Sequence, residues 1–428
     1  MDWCRVERAI LAGVELQPNW KVRWFSIAIL MLPMLALIAY SLRYPAVKAK
    51  GREGVFAYLE DKAAASVPSG LTWTMQDSKT TASLRGIDSV DGKVAWASGT
   101  EGTVLKTVDG GAHWTKCAVP DAAADGATLD FRGVQAWDAQ TAFVMASGPG
   151  DKSRLYKTLD GCETWTLLFK NPDAPGGFFD SIFFPRSQSL VRDNEGFGLL
   201  LGDPVGGQFA VFETRNGGHA WMRISDAVLT ASGTDSGAFA ASNSCISGFG
   251  GSTFDFVTGG KAGSSLIRLS YMGKQWVNDG SVLRRAWSKE KLPMARGTDG
   301  SGAFSVAEGV SLPEGKKEPS FEDLKLHEIV VGGDYSKPNE TAGTAAWNAH
   351  GDQKWVTASE VPHGYRSSVS WSGELKAWIT AGTNGSDISR DDGKTWAPLD
   401  DGNWNALSLP FVVGPKGRIA RLSVAAAK

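Results

Sequence analysis

TVDGGAHW, running from Thr107 to Trp114, returns as TLDGCETW (Thr158 to Trp165), TRNGGHAW (Thr214 to Trp221) and SRDDGKTW (Ser389 to Trp396). The shared pattern is S/T-x-D-x-G-x-T-W. A short acidic or amide side chain (Asp109, Asp160, Asn216 or Asp391) folds back onto backbone N–H groups of a tight turn. Glycine supplies the positive φ. A tryptophan (Trp114, Trp165, Trp221 or Trp396) then opens the next strand and packs over the turn. Cys162 departs from the pattern at the second glycine, Asn216 at the acid, and His113 and Ala220 at the threonine.

A second signal is independent of the first. Short apolar runs (VAWA, AFVMA, GLLL, DFV, EIVV, AWIT, FVV) end in glycine-led turns at Gly99, Gly148, Gly202, Gly259, Gly333, Gly382 and Gly414. Another strand mostly follows, as in TVLKT, RLYKT, FAVFET and RIARL. Strand, glycine turn, strand, acidic turn, strand is a meander, the unit of a propeller blade. Seven glycine turns predict an all-β, seven-bladed β-propeller over residues 70–424. The last repeat stops after its third strand. LTWTMQ, with Trp73, has a box-like tryptophan but no blade before it, so this first strand is expected to complete the last blade. GAFSVA (Gly302 to Ala307) echoes GAFAAS (Gly237 to Ser242) as an inner strand, and residues 308–325 read as a charged surface insertion.

Composition agrees and excludes much else. Of 428 residues 42% are hydrophobic and only four are Cys, against a disordered chain or a disulfide-framed scaffold. The 51 glycines show no collagen period. A net charge of −2 gives no basic footprint for nucleic acid. There is no C-x-x-C and the five histidines are scattered, so neither a metal nor a cofactor is expected.

The four acidic turns are Asp-boxes, or BNR repeats. Together with the glycine turns and the segments LRGI, FRGV, GAFAASNSC and VGPKGRIARL, they make residues 70–424 resemble the photosystem II stability and assembly factor type of propeller, in a non-photosynthetic bacterial relative. The resemblance implies a non-catalytic binding scaffold for assembly or stability of a membrane or envelope protein complex. Asp-boxes also occur in sialidases, some glucanases and sorting receptors, so a glycoside hydrolase is the alternative.

WFSIAILMLPMLALIAYSL, residues 24–42, is nineteen residues without a charge, enough as a helix to span a bilayer core. A retained anchor is preferred to a cleaved signal because twenty-three residues precede it. Residues 1–23 are then a cytoplasmic segment, 43–69 a linker, and the propeller is extracytoplasmic, periplasmic or at the cell surface.

The approaches to the inner strands carry Arg85 (LRGI), Arg132 (FRGV) and Arg366 (YRSS), while Asp180 and Asn405 hold the equivalent places elsewhere. Three guanidiniums at one channel mouth would bind an anion, such as an acidic protein segment or a chain terminus. The alternative is that each pairs with a turn acid such as Glu101, Asp151, Asp203 or Asp334. The box acids are each committed to their own turn and are expected to be structural. Cys117 and Cys162 lie near the same edge of adjacent blades, as a disulfide or as two inert thiols. No G-x-S-x-G, H-E-x-x-H, P-loop or dinucleotide motif is present. Tyr365 and Arg366 with Asp180 or Asp203 are the sole set that a sialidase reading can assemble. No catalytic residue is assigned.

Overall fold

Seven four-stranded antiparallel sheets follow one another along the chain. The computed structural model describes residues 70–119, 129–186, 196–233, 236–249, 252–277, 280–311, 325–349 and 354–424. Blades 1 to 6 cover residues 84–117, 131–170, 179–224, 246–292, 301–357 and 368–400, each running inner to outer strand in chain order. Blade 7 takes its three inner strands from residues 406–424 and its outer strand, Leu71–Gln76, from the other end of the domain. Leu71 lies opposite Val424, and Trp73 opposite Leu422. The inner strand of each blade touches that of the next all the way round, including Ala406–Ser408 against Leu84–Ser89, so the ring is closed.

Blade-on-blade packing explains the composition of the strands. A second strand is covered on both faces by its neighbours, so Ala95–Gly99, Ala142–Ala146 and Ala377–Gly382 are buried at every residue. Small apolar residues without alternation fit there. Outer strands such as Thr166–Lys170 are half-buried and polar at both ends. The apolar clusters lie between blades: Leu84, Ile87, Leu105 and Trp114 of blade 1 pack with Phe411, Val413 and Ile419 of blade 7.

The glycine turns have a specific cause. A Cβ on Gly99, Gly202, Gly382 or Gly414 would fall inside contact distance of a backbone carbonyl at the approach to the inner strand, that of Ser83, Phe178, Tyr365 or Asn403. Blade 2 has Ala146 at this register, opposite Phe131. The turns also stitch blades together, as where Leu84 N–H donates to Gly414 O at 3.1 Å and Arg366 N–H to Gly332 O at 2.8 Å.

Two local expectations need revision. GAFAAS is not an inner strand, since that role in blade 4 falls to Ile246–Phe249. Gly237 makes a single bridge to Gly259, and the N–H of Ala238 goes to the carboxylate of Asp203 instead of a ladder. At the expected insertion, Glu308 to Ser311 extend the inner strand Ser301–Ser311 and pair with Lys325 to Glu328. The expected anchor at 24–42 and its flanks lie outside the described residues. Among the described residues no helix is long and apolar enough to cross a membrane.

Candidate functional site: one end of the central channel

Inner strands of several blades begin with a β-bulge, and the bulged residue is Arg85 in blade 1, Arg132 in blade 2, Asp180 in blade 3 and Phe304 in blade 5. Ser367 and Asn405 hold the same register in blades 6 and 7, donating their N–H to Ala381 O and Val413 O. A bulge re-aims its side chain out of the pleat. All six side chains line one cavity of about 1030 Å³. One position in each of these six blades thus sets the chemistry of the mouth: cationic in blades 1 and 2, acidic in blade 3, aromatic in blade 5, neutral and polar in blades 6 and 7.

Arg85 and Arg132 share a single carboxylate. Asp130 Oδ2 accepts from Arg132 Nε at 2.8 Å and lies 3.4 Å from Arg85 Nε. The two guanidinium side chains are 32% and 28% exposed, and Asp130 Oδ1 has no hydrogen-bond partner. Two cations here share one carboxylate, on a cavity wall that also carries Asp180 and Asp203. Arg132 also lies 5.8 Å from the Phe178 ring centroid and reaches Ala240 O at 3.4 Å.

Arg366 is not part of this patch, which corrects the expectation of three converging arginines. YRSS and LRGI look alike, but the register places Arg366 in the position of Leu84 and Ser367 in that of Arg85. A one-residue offset sends a side chain to the opposite face. The Arg366 guanidinium is fully buried, paired with Asp387 through Nε and Nη2, and donates to Tyr365 O at 2.7 Å and Asn384 Oδ1 at 2.5 Å. Nothing of it is left to grip a ligand. Of the sialidase set, Tyr365, Asp180 and Asp203 line the cavity and Arg366 does not.

No family model matches the chain. Among curated proteins, the photosystem II assembly lipoprotein Ycf48 of Synechococcus sp. (strain CC9902) is 26% identical over 152 residues, 35% of this chain. That match spans about two fifths (39%) of the relative's own length. The solved structure of YCF48 bound to D1 peptide matches with TM-score 0.50 at 16% identity, over 84% of this chain and 100% of that one. YCF48 from Cyanidioschyzon merolae matches with TM-score 0.50 at 17% identity, over 82% and 98%. The chain is a seven-bladed propeller similar to Ycf48. The structural likeness, at these identities, speaks for the fold.

In this Ycf48-like ring the acidic turns connect third to fourth strands, and their carboxylates are used up locally. Asp109 Oδ1 accepts the N–H of His113 at 2.9 Å and the Thr107 hydroxyl at 2.8 Å. Asp160 repeats this with Thr164 N–H at 2.9 Å and Thr158 at 2.8 Å, Asn216 with Ala220 N–H at 2.8 Å, and Asp391 with Thr395 N–H at 2.9 Å. The His113 N–H bond leads in pulling Asp109 down to about 2, and the Thr164 hydroxyl does the same for Asp160. The tryptophans do more than cover the turn. Trp114 lies edge-on to Phe411, Trp165 to Trp96, and Trp221 stacks on Phe169, each in the preceding blade. Trp396 packs in a cluster with Ile329 and Val331 of blade 5. Cys117 and Cys162 form a disulfide that ties the outer strand of blade 1 to the acidic turn of blade 2.

Sequence reasoning missed Asp130, Phe239 and Phe304 at the mouth. For Asp130 the signal was proximity, two residues before Arg132 on the same approach. For the two phenylalanines it was the GAF echo itself: Phe239 and Phe304 stack at 3.8 Å between centroids and 7° between planes. The echo marks a ring pair at the mouth, with a strand in only one of its two copies.

Proposed function

We propose that this chain is a non-catalytic binding scaffold that holds a protein segment at the bulge-lined end of its channel. By likeness to Ycf48, it would act in assembly or stability of a membrane or envelope protein complex. The observation that carries the proposal is the pair Arg85 and Arg132, both partly exposed and both beside the single carboxylate of Asp130, at the wall of a cavity of about 1030 Å³. That volume suits several residues of an extended segment, and the guanidinium pair suits an acidic side chain or a chain terminus. The relative solved with a D1 peptide supports a peptide as the type of ligand. An extracytoplasmic body tethered through residues 24–42 belongs to the same proposal. The Cys117–Cys162 disulfide supports it, since such bonds persist in oxidising compartments.

The test is co-purification from native membranes with the full chain as bait, wild type against the double variant Arg85→Ala, Arg132→Ala. A charge-assisted contact contributes about 1.5–3 kcal/mol, so the double variant should lose at least tenfold in affinity for the recovered partner while keeping its unfolding midpoint. Rising salt should weaken wild type more than the variant. Equal recovery by both proteins, or turnover of a panel of sialosides and glucans, would overturn the proposal.

A further inference from the structure

Next to Arg132, the mouth holds a second feature of the other sign. Asp180 is 1% exposed, and its Oδ2 has no hydrogen-bond partner. Buried carboxylate oxygens without a partner are uncommon and call for an explanation. Ala240 N–H lies near the Asp180 carboxylate and favours its charged form. Asp203 stands beside it and accepts Ala238 N–H at 3.1 Å through Oδ1, so two acids flank the same short segment and both line the cavity. Burial and the neighbouring Asp203 push the Asp180 carboxyl well above the usual carboxylate range, and Arg132 pulls the other way. Between the acids the segment carries Phe239, half-buried and stacked on Phe304, with Tyr365 edge-on to Phe304 at 4.8 Å.

A buried orphan oxygen, a second carboxylate and a half-exposed ring are what a long basic side chain needs. The charge takes the oxygens and the methylene stem lies on the ring. We infer that the bound segment carries a basic residue as well as an acidic group, the ammonium or guanidinium seated at Asp180 and Asp203 against Phe239, and the acidic group at Arg85 and Arg132. This rests on the binding role proposed above and adds the charge pattern of the partner: both signs, within the few residues that one cavity can hold. A segment with the acidic group alone would leave Asp180 Oδ2 unpaired in the complex as well.

Selection from a phage-displayed library of random dodecapeptides on the immobilised full chain tests both levels separately. Enrichment of peptides that pair an acidic group with a lysine or arginine is expected. Replacing that basic residue by norleucine in a synthetic winner should weaken binding about tenfold or more. In the variant Asp203→Asn, which keeps an acceptor for Ala238 N–H, the ratio between the basic and norleucine peptides should fall towards one, while the effect of neutralising the acidic group persists. Should that variant fail to fold, the norleucine ratio on wild type still decides. Enrichment of acidic peptides with no basic preference would overturn this inference and leave the scaffold role standing, and no enrichment at all would remove both. Affinity that follows added calcium and ignores the basic residue would assign the two acids to a metal and overturn it as well.

Discussion

Replacing Asp391 by alanine removes three hydrogen bonds from one turn: those from Thr395 N–H, the Thr395 hydroxyl and the Ser389 hydroxyl. The expected cost is about 1–3 kcal/mol by urea unfolding, with the affinity of the recovered partner unchanged. An effect on binding in a folded Asp391→Ala protein would show that the turn acids do more than hold turns. At this scale the sequence was legible wherever a residue's partners lie within a few positions, as in all four acidic turns. It failed at Arg366, because the face a strand residue takes depends on register with the neighbouring strand, set here where Tyr365 O packs against Gly382. YRSS carries no local mark of that offset. Ser367, the neutral member of the same register in blade 6, is equally unmarked, whereas Asp180 and Asn405 were legible as equivalents of Arg85.

The single element that decides the architecture is Leu71–Gln76. Its Trp73 indole donates to Ser386 Oγ at 2.9 Å and lies 6.2 Å from the Trp404 ring, so it bonds into blade 6 as well as completing blade 7. Deleting residues 70–76 exposes the edge of Ile419–Val424. Aggregation or a loss of cooperative unfolding is expected by calorimetry and light scattering. The disulfide works on neighbouring elements, closing a separation of 45 residues. The double variant Cys117→Ser, Cys162→Ser should lose about 2–4 kcal/mol in non-reducing urea titrations and leave the ring closed. Strand and turn order were readable because each blade repeats its own local grammar. GAFAAS was misread because the Ala238 amide is taken by the Asp203 carboxylate of blade 3, a contact that no local pattern announces.

For the molecule as a whole, stability depends on contacts between blades, and some of these are ionic. Asp255 and Arg268 of blade 4 face Glu328 and Glu308 of blade 5, with Arg268 donating to Asp255 at 2.7 and 2.8 Å and pairing with Glu328. Burial pushes Glu328 up to about 7, with Asp255 and Glu290 adding to it and Arg268 opposing, and pushes Glu308 up as well. The folded protein therefore holds a proton that the unfolded chain releases near the ordinary glutamate range. This contribution is fully present below that range and is lost as pH rises through about 7. Urea midpoints should fall between pH 5 and pH 8, and Glu328→Gln should flatten the decline. A profile unchanged by the substitution would place the pH dependence elsewhere. The closed ring carries a mechanical consequence too. Since Leu71 sits directly across from Val424, a load applied through the two ends of the domain meets the ladder at its first rung. Tension then opens that ladder like a zipper, one rung at a time, and never asks all the rungs to resist together. A tethered propeller pulled along its own chain would part first at this seam, at low force, with the other six blades still folded.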